Sequence, residues 1–304
     1  MTSPARAASL GFVVSGAAVA GARHRAGGAG GQDAFRAVPT ADGSAVVLAV
    51  ADGAGRRPRS ALGAQLAVDT ACALLAEDVP GSSGDEAGPE AWTGWISGRA
   101  QAVALRCRTV AEALMAAEGS GAPDPMRASG GPGEALRRVA SGPTELRPDP
   151  ADLAAALVAA VFRPPWAAFV SLGDCTATVL TRDPGEAERC RTVLPPPDGR
   201  GAPAFAYTPE AELRARSFAL WDPALSGVVL ASDGCTPMVF EHPSAAGLPA
   251  TAGPQPAPRF FCSLAQVLRE RAGHAEPLRA LLSGAEAERG GDDMAVLCAL
   301  LGGG

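Results

Sequence analysis

The chain has 304 residues, 47% of them apolar but only 5% aromatic, and a formal net charge of −6. The length suits one large domain or one domain with insertions, and its core must be built mostly of Ala, Val and Leu. Every basic residue is Arg, but no Arg-rich block stands out, which disfavours a basic face for nucleic acid.

Near the N-terminus an apolar stretch, Ala8 to Ala20, follows a single arginine, Arg6, and ends in Ala-Val-Ala. It is too short to span a bilayer. It has some features of a signal peptide, but the interruptions at Ser9, Gly11, Ser15 and Gly16 favour a core strand over Leu10–Val14. Ala45–Ala51 reads as a second strand, rich in Val and closed by Asp and Gly. Helical spacing of Leu62, Leu66, Val68, Cys72 and Leu75 predicts a helix from Ser60 to Asp78, stopped by Pro80-Gly81. A second helix is expected from Pro89 or Glu90 to Glu118, with Trp92 and Trp95 as core anchors. The acidic patch Asp85–Glu90 reads as a solvated loop. The Gly/Pro-rich stretch at about 119–150 reads as an insertion or connection.

Leu153–Phe162, Ala167–Leu172, Thr176–Thr181, Ser217–Leu220 and Gly227–Ala231 have strand length and strand composition. A loop follows at about 243–258, then helices at Ser263–Arg271 and Glu276–Leu282 and a last strand at Met294–Leu301. Strands, two helices and strands again, without a βαβ rhythm, argue for an α+β fold rather than a parallel sheet. The seven cysteines include no CxxC pair and are odd in number. That argues against a disulfide framework or a zinc ribbon, and for free thiols in a reducing, cytoplasmic setting.

The acids carry the chemistry. Asp52 closes one apolar run, Asp174 another and Asp233 a third, while Asp292-Asp293 opens the last. Each pair alone is an ordinary turn sequence, as Asp183, Asp198 and Asp222 are taken to be. Packed side by side, however, strands bring such ends to one rim. Crowded carboxylates resist ionisation unless cations neutralise them. Only three histidines are present, so hard cations with oxygen ligands, Mn2+ or Mg2+, suit the set better than zinc. Two such ions about 3.5–4 Å apart suit hydrolysis of phosphate esters.

Taken in order, these residues resemble the PP2C-type (PPM) metal-dependent serine/threonine protein phosphatases, in particular a bacterial branch. The matching segments are His24-x-x-x-Gly28-x-x-x-Gln32-Asp33-Ala34, Val50-Ala51-Asp52-Gly53-Ala54-Gly55, Leu172-Gly173-Asp174, Leu230-Ala231-Ser232-Asp233-Gly234 and Gly291-Asp292-Asp293-Met294. The resemblance implies one domain over residues 1–304 with the four-layer α-β-β-α sandwich, two antiparallel sheets flanked by helix pairs. It implies that Asp52 bridges two metals, the Gly53 carbonyl binds one, and Asp233 and Asp292 hold the other. Asp33 acts through water, and Asp174 with Asp233 serves a weaker third site. A metal-bound hydroxide would then attack phosphoserine or phosphothreonine in a protein substrate, with no nucleic-acid or membrane partner. Arg25 is the candidate phosphate anchor, with Arg23 and Arg56 as rivals.

The chain departs from that family at four places. Ala54 stands where many members have a His proposed as general acid, although bacterial members often lack it. Leu153–Ala156 lacks the usual hydroxyls, Cys175 follows Gly-Asp, and Ala295 replaces a Thr. A pseudophosphatase acting as a binding module, or a hydrolase for small phosphate esters, is the alternative reading.

Overall fold

The computed structural model describes residues 11–28, 30–55, 57–81, 87–119, 149–196, 204–284, 287 and 290–302. In chain order the strands are β1 (Phe12–Val19), β2 (Ala34–Pro39), β3 (Val46–Gly53), β4 (Ala155–Arg163), β5 (Trp166–Leu172), β6 (Thr176–Thr181), β7 (Arg189–Leu194), β8 (Arg216–Trp221), β9 (Leu225–Ala231), β10 (Phe240–Glu241), β11 (Gln255–Pro256) and β12 (Met294–Leu301). The helices are α1 (Ala22–Ala26), α2 (Ser60–Leu75), α3 (Pro89–Gly119), α4 (Ala211–Arg214), α5 (Thr236–Val239), α6 (Pro258–Glu270) and α7 (Glu276–Leu282).

Two five-stranded antiparallel sheets result, ordered β1-β12-β9-β6-β7 and β2-β3-β4-β5-β8. α2 and α3 pack on the second sheet, α6 and α7 on the first. The expected α-β-β-α order of layers is therefore observed. The sequence pattern explains it. In β3, Val47, Ala49 and Ala51 face the α2–α3 layer, while Val46, Leu48 and Val50 face the other sheet. β4 divides its residues in the same way, and in β12 Met294, Val296 and Cys298 face α6 and α7 while Ala295 and Leu297 turn inward. A strand covered on both faces has no polar side, so it reads as a continuous apolar run. Small residues on the helix-facing side, Ala49, Ala51, Ala155 and Ala159 among them, match Ala64, Ala67 and Ala71 of α2. Trp92 is fully buried and stacks on Trp166 at 5.4 Å, with Trp95 edge-on to it at 5.9 Å.

Several boundaries differ from expectation. β1 runs to Val19, five residues further than the apolar count suggested, because its whole length pairs with β12. β4 starts at Ala155, since Asp149 caps a 3-10 turn over Pro150–Leu153 by accepting the Ala151 amide at 2.9 Å. The loop at about 243–258 is closed at its base by β10 pairing with β11. β2 and β7 were not expected at all. Most of the 119–150 stretch, Asp85, Arg56 and Asp198 lie outside the described residues. Asp222 makes the expected turn, accepting the Ala224 amide at 2.9 Å. All seven cysteines are free, and no helix among the described residues is long and apolar enough to cross a membrane.

Candidate metal centre

The acids gather at one end of the space between the sheets. Asp52 sits near the end of β3, paired in register with Ala156. Its parity is that of Val46, Leu48 and Val50, so its carboxylate points between the sheets rather than at α2. Asp33 directly precedes β2. Asp174 follows β5 after Gly173, whose φ of +95° turns the chain. Asp233 follows β9 from the other sheet, and Asp292 lies two residues before β12. Asp52, Asp174 and Asp233 each offer an oxygen within 4.8 Å of the other two. They line a cleft of about 480 Å3 together with Gly53, Asp292 and Arg23.

Like charges at this spacing are costly. Burial, then the charges of Asp33 and Asp233, pushes the Asp52 carboxyl far above its usual range. Burial also raises Asp33, helped by Asp293 and Asp233, and it raises Asp174, helped by Asp233. Both Asp33 oxygens and Asp174 Oδ1 are shut from solvent without a well-aligned hydrogen bond, although Ser232 and Asp52 stand within reach of Asp33. Orphaned oxygens on Asp33 and Asp174, beside the carboxylates of Asp52 and Asp233, fit cations as their missing partners. The donors are all oxygens, the chemistry of Mg2+ or Mn2+.

The last acid pair divides its work. Asp292 is exposed on the cleft, whereas Asp293 is 3% exposed and faces inward. Asp293 Oδ1 accepts the Gly21 amide and Oδ2 the Gln32 amide, both at 2.6 Å. The carboxylate thus ties both ends of the segment that carries α1 and leads to Asp33. Its backbone is gripped as well. A Cβ on Gly21 would lie 2.3 Å from the Asp292 carbonyl carbon, and one on Gly234 would lie 2.0 Å from the Asp293 carbonyl oxygen. Only glycine fits at either place. Ser232 completes the join, its hydroxyl accepting the Ala295 amide at 2.8 Å. Cys235 is fully buried beside it, a small core residue.

Of the expected basic residues, Arg23 lines the cleft and Arg25 does not. Two residues apart on a helix, they point to different sides. Arg25 instead donates to the Ala20 carbonyl. Arg57, which the sequence did not single out, also lines the cleft, as does Phe205. His24, for which the sequence leaves open a role in orienting the loop before Asp33 or a solvated place in a Gly-rich turn, stands on the cleft wall with Nδ1 2.9 Å from Asp293 Oδ2.

A sequence profile described as protein phosphatase 2C matches residues 20–283. No curated protein sequence gives a significant match. Among solved structures, the fold is similar to that of a bacterial serine phosphatase, at 10% identity over 96% of this chain and 98% of that one, TM-score 0.54. It is similar to the serine/threonine phosphatase Stp1 from Staphylococcus aureus, at 11% identity over 98% and 99%, TM-score 0.52. It is also similar to PppA, a regulatory component of T6SS in Pseudomonas aeruginosa, at 15% identity over 95% and 97%, TM-score 0.50.

Proposed function

Because the chain belongs to the protein phosphatase 2C family, we propose that it is a metal-dependent phosphatase that hydrolyses phosphoserine and phosphothreonine on protein substrates. The observation that carries this reading is the convergence of Asp52, Asp174 and Asp233 within 4.8 Å in an open cleft. Asp52 and the Gly53 carbonyl, with Asp233 and Asp292, would hold two divalent cations, Mn2+ or Mg2+. Asp33 would act through water, and Asp174 would serve a weaker additional site. When bound, such ions lower the pKa of water and neutralise charge developing on the phosphoryl oxygens.

The remaining work falls to the chain itself. Asp52 is fixed by its pairing with Ala156 on one side and by the Ala51–Ala34 rung just before it on the other, so its carboxylate needs little reorganisation. Asp293 fixes the segment from Gly21 to Gln32 and with it the approach of Arg23 to the cleft. A guanidinium there offers a fork of donors to phosphate oxygens. Arg23 is accordingly favoured over Arg25 as the phosphate anchor. An open cleft lined largely by charged groups suits a phosphorylated side chain presented by a protein segment.

The test is a phosphothreonine peptide incubated with the purified protein and Mn2+. Turnover is expected with the wild type and is expected to fall at least 100-fold in Asp52→Asn, with calorimetric Mn2+ binding weakened in parallel. Wild-type protein that binds no Mn2+ and releases no phosphate would sink the proposal. Mn2+ binding without turnover of any ester would instead favour the pseudophosphatase alternative.

A further inference from the structure

Hydrolysis of an alkyl phosphate expels an alkoxide, a poor leaving group that needs a proton. Ala54 offers none. Of the cleft carboxylates, Asp52, Asp174, Asp233 and Asp292 belong to the proposed metal-binding set and Asp293 is buried and held by two backbone amides, and an arginine does not release its proton at working pH. Among the described residues lining the cleft, one imidazole remains, His24.

Its setting is that of an oriented acid. Nδ1 is shut from solvent and lies 2.9 Å from Oδ2 of the buried Asp293, within ion-pair distance but with its N–H not aligned for a hydrogen bond. Catalytic contacts are often misaligned before substrate binds. Nε2 has no partner among the described residues and is not shut from solvent. A carboxylate on one nitrogen fixes the ring and leaves the other for proton transfer. Asp293 is itself held rigid by the Gly21 and Gln32 amides. The other charges around the ring are Arg23 and Arg25 on its own helix, and Asp52, Asp174, Asp233, Asp292 and Arg57 on the cleft.

We propose that His24, oriented by Asp293, is the general acid that protonates the leaving seryl or threonyl oxygen. The inference rests on the phosphatase reading above. As the oxygen of the attacking water bonds to phosphorus, the ester P–O bond breaks and its electron pair stays on the leaving oxygen. That oxygen takes the proton from Nε2. The water's proton passes to solvent, and a later proton from solvent restores the imidazolium.

The experiment compares two esters in wild type, His24→Asn and His24→Gln, all with Mn2+. A phosphothreonine peptide has an alkoxide leaving group, while p-nitrophenyl phosphate leaves as a stabilised phenolate that needs no acid. Removal of His24 is expected to lower kcat on the peptide by about 100-fold or more and on the aryl ester by no more than about threefold. Calorimetric Mn2+ binding and Tm are expected to stay at wild-type values. Equal losses on both esters, or no loss on the peptide, would overturn the assignment. A wild type that hydrolyses neither ester would sink the phosphatase reading, and this inference with it.

Discussion

Asp293 and Gly234 show how much of the site is set by contacts at single atoms. The Asp293 carbonyl oxygen lies 2.0 Å from where a Gly234 Cβ would be, so Gly234→Ala must push apart the two segments that carry Asp233 and Asp292. Overpacking of this kind costs about 1–3 kcal/mol. The expected result is a lower Tm and weaker Mn2+ binding by calorimetry, whereas a fully wild-type variant would show that the two segments are not locked together. None of this was legible in the sequence. Asp52, Asp174, Asp233 and Asp292 could be found because each borders an apolar run, the first three closing one and Asp292 opening one. The role of Asp293 depends on partners 261 and 272 positions away, and no local pattern records such a pairing. That Arg23 lines the cleft and Arg25 does not was hidden for a similar reason: which side of α1 faces the cleft is decided by where Gly21 docks on Asp292.

At the scale of elements, α6 is pinned to its sheet by one buried ion pair. Arg269 donates to both Glu188 oxygens, at 2.7 and 2.9 Å, and through Nε to the Leu301 carbonyl at 2.9 Å, while the Ser226 hydroxyl donates to Glu188 at 2.7 Å. The two side chains are 9% and 7% exposed. Removing one partner leaves the other buried without compensation, so Glu188→Ala is expected to cost about 3 kcal/mol, read by denaturant unfolding. The Arg269, Ser226 and Arg182 contacts outweigh burial and hold the Glu188 carboxyl below its ordinary value. A depressed folded value means that this contribution is complete above about pH 4.5 and fades as pH falls through the folded value. The difference between wild type and Glu188→Ala should therefore narrow in acid. A difference that does not change with pH would remove the pair from the account. Sequence pattern located the buried elements well: β6, α7 and β12 fall where expected, because double burial or strong helical spacing marks them. It missed β2 and β7, each at or next to a sheet edge, where Arg36, Pro39, Arg189 and Arg191 break the apolar run. Their pairing partners make them strands; their own composition does not.

For the whole molecule, the acid cluster sets its own carboxylates against the fold unless cations neutralise them. Asp33, Asp52 and Asp174 all have folded values raised above 3.8, chiefly by burial. A raised carboxylate value means that the folded chain holds protons that the unfolded chain has released. Stability is then complete below about pH 4 and falls as pH rises through the folded values. Asp42 and Glu188 have the opposite sign, but they act in acid, where Asp42 titrates at about 2. Between pH 5 and 8 the cluster is therefore the main carboxylate influence. In EDTA the wild-type Tm should fall across that window. Asp52→Asn should show a smaller fall, because the carboxylate whose value is raised most no longer titrates. Added Mn2+ binds the deprotonated carboxylates and so stabilises the fold more at pH 8 than at pH 5. A wild type whose Tm in EDTA is flat across the window, or a Mn2+ shift equal at both pH values, would show that the carboxylates are not strained in the metal-free fold. The alternative is a cluster relaxed by water, and the case for two bound cations would then have to rest on direct binding alone.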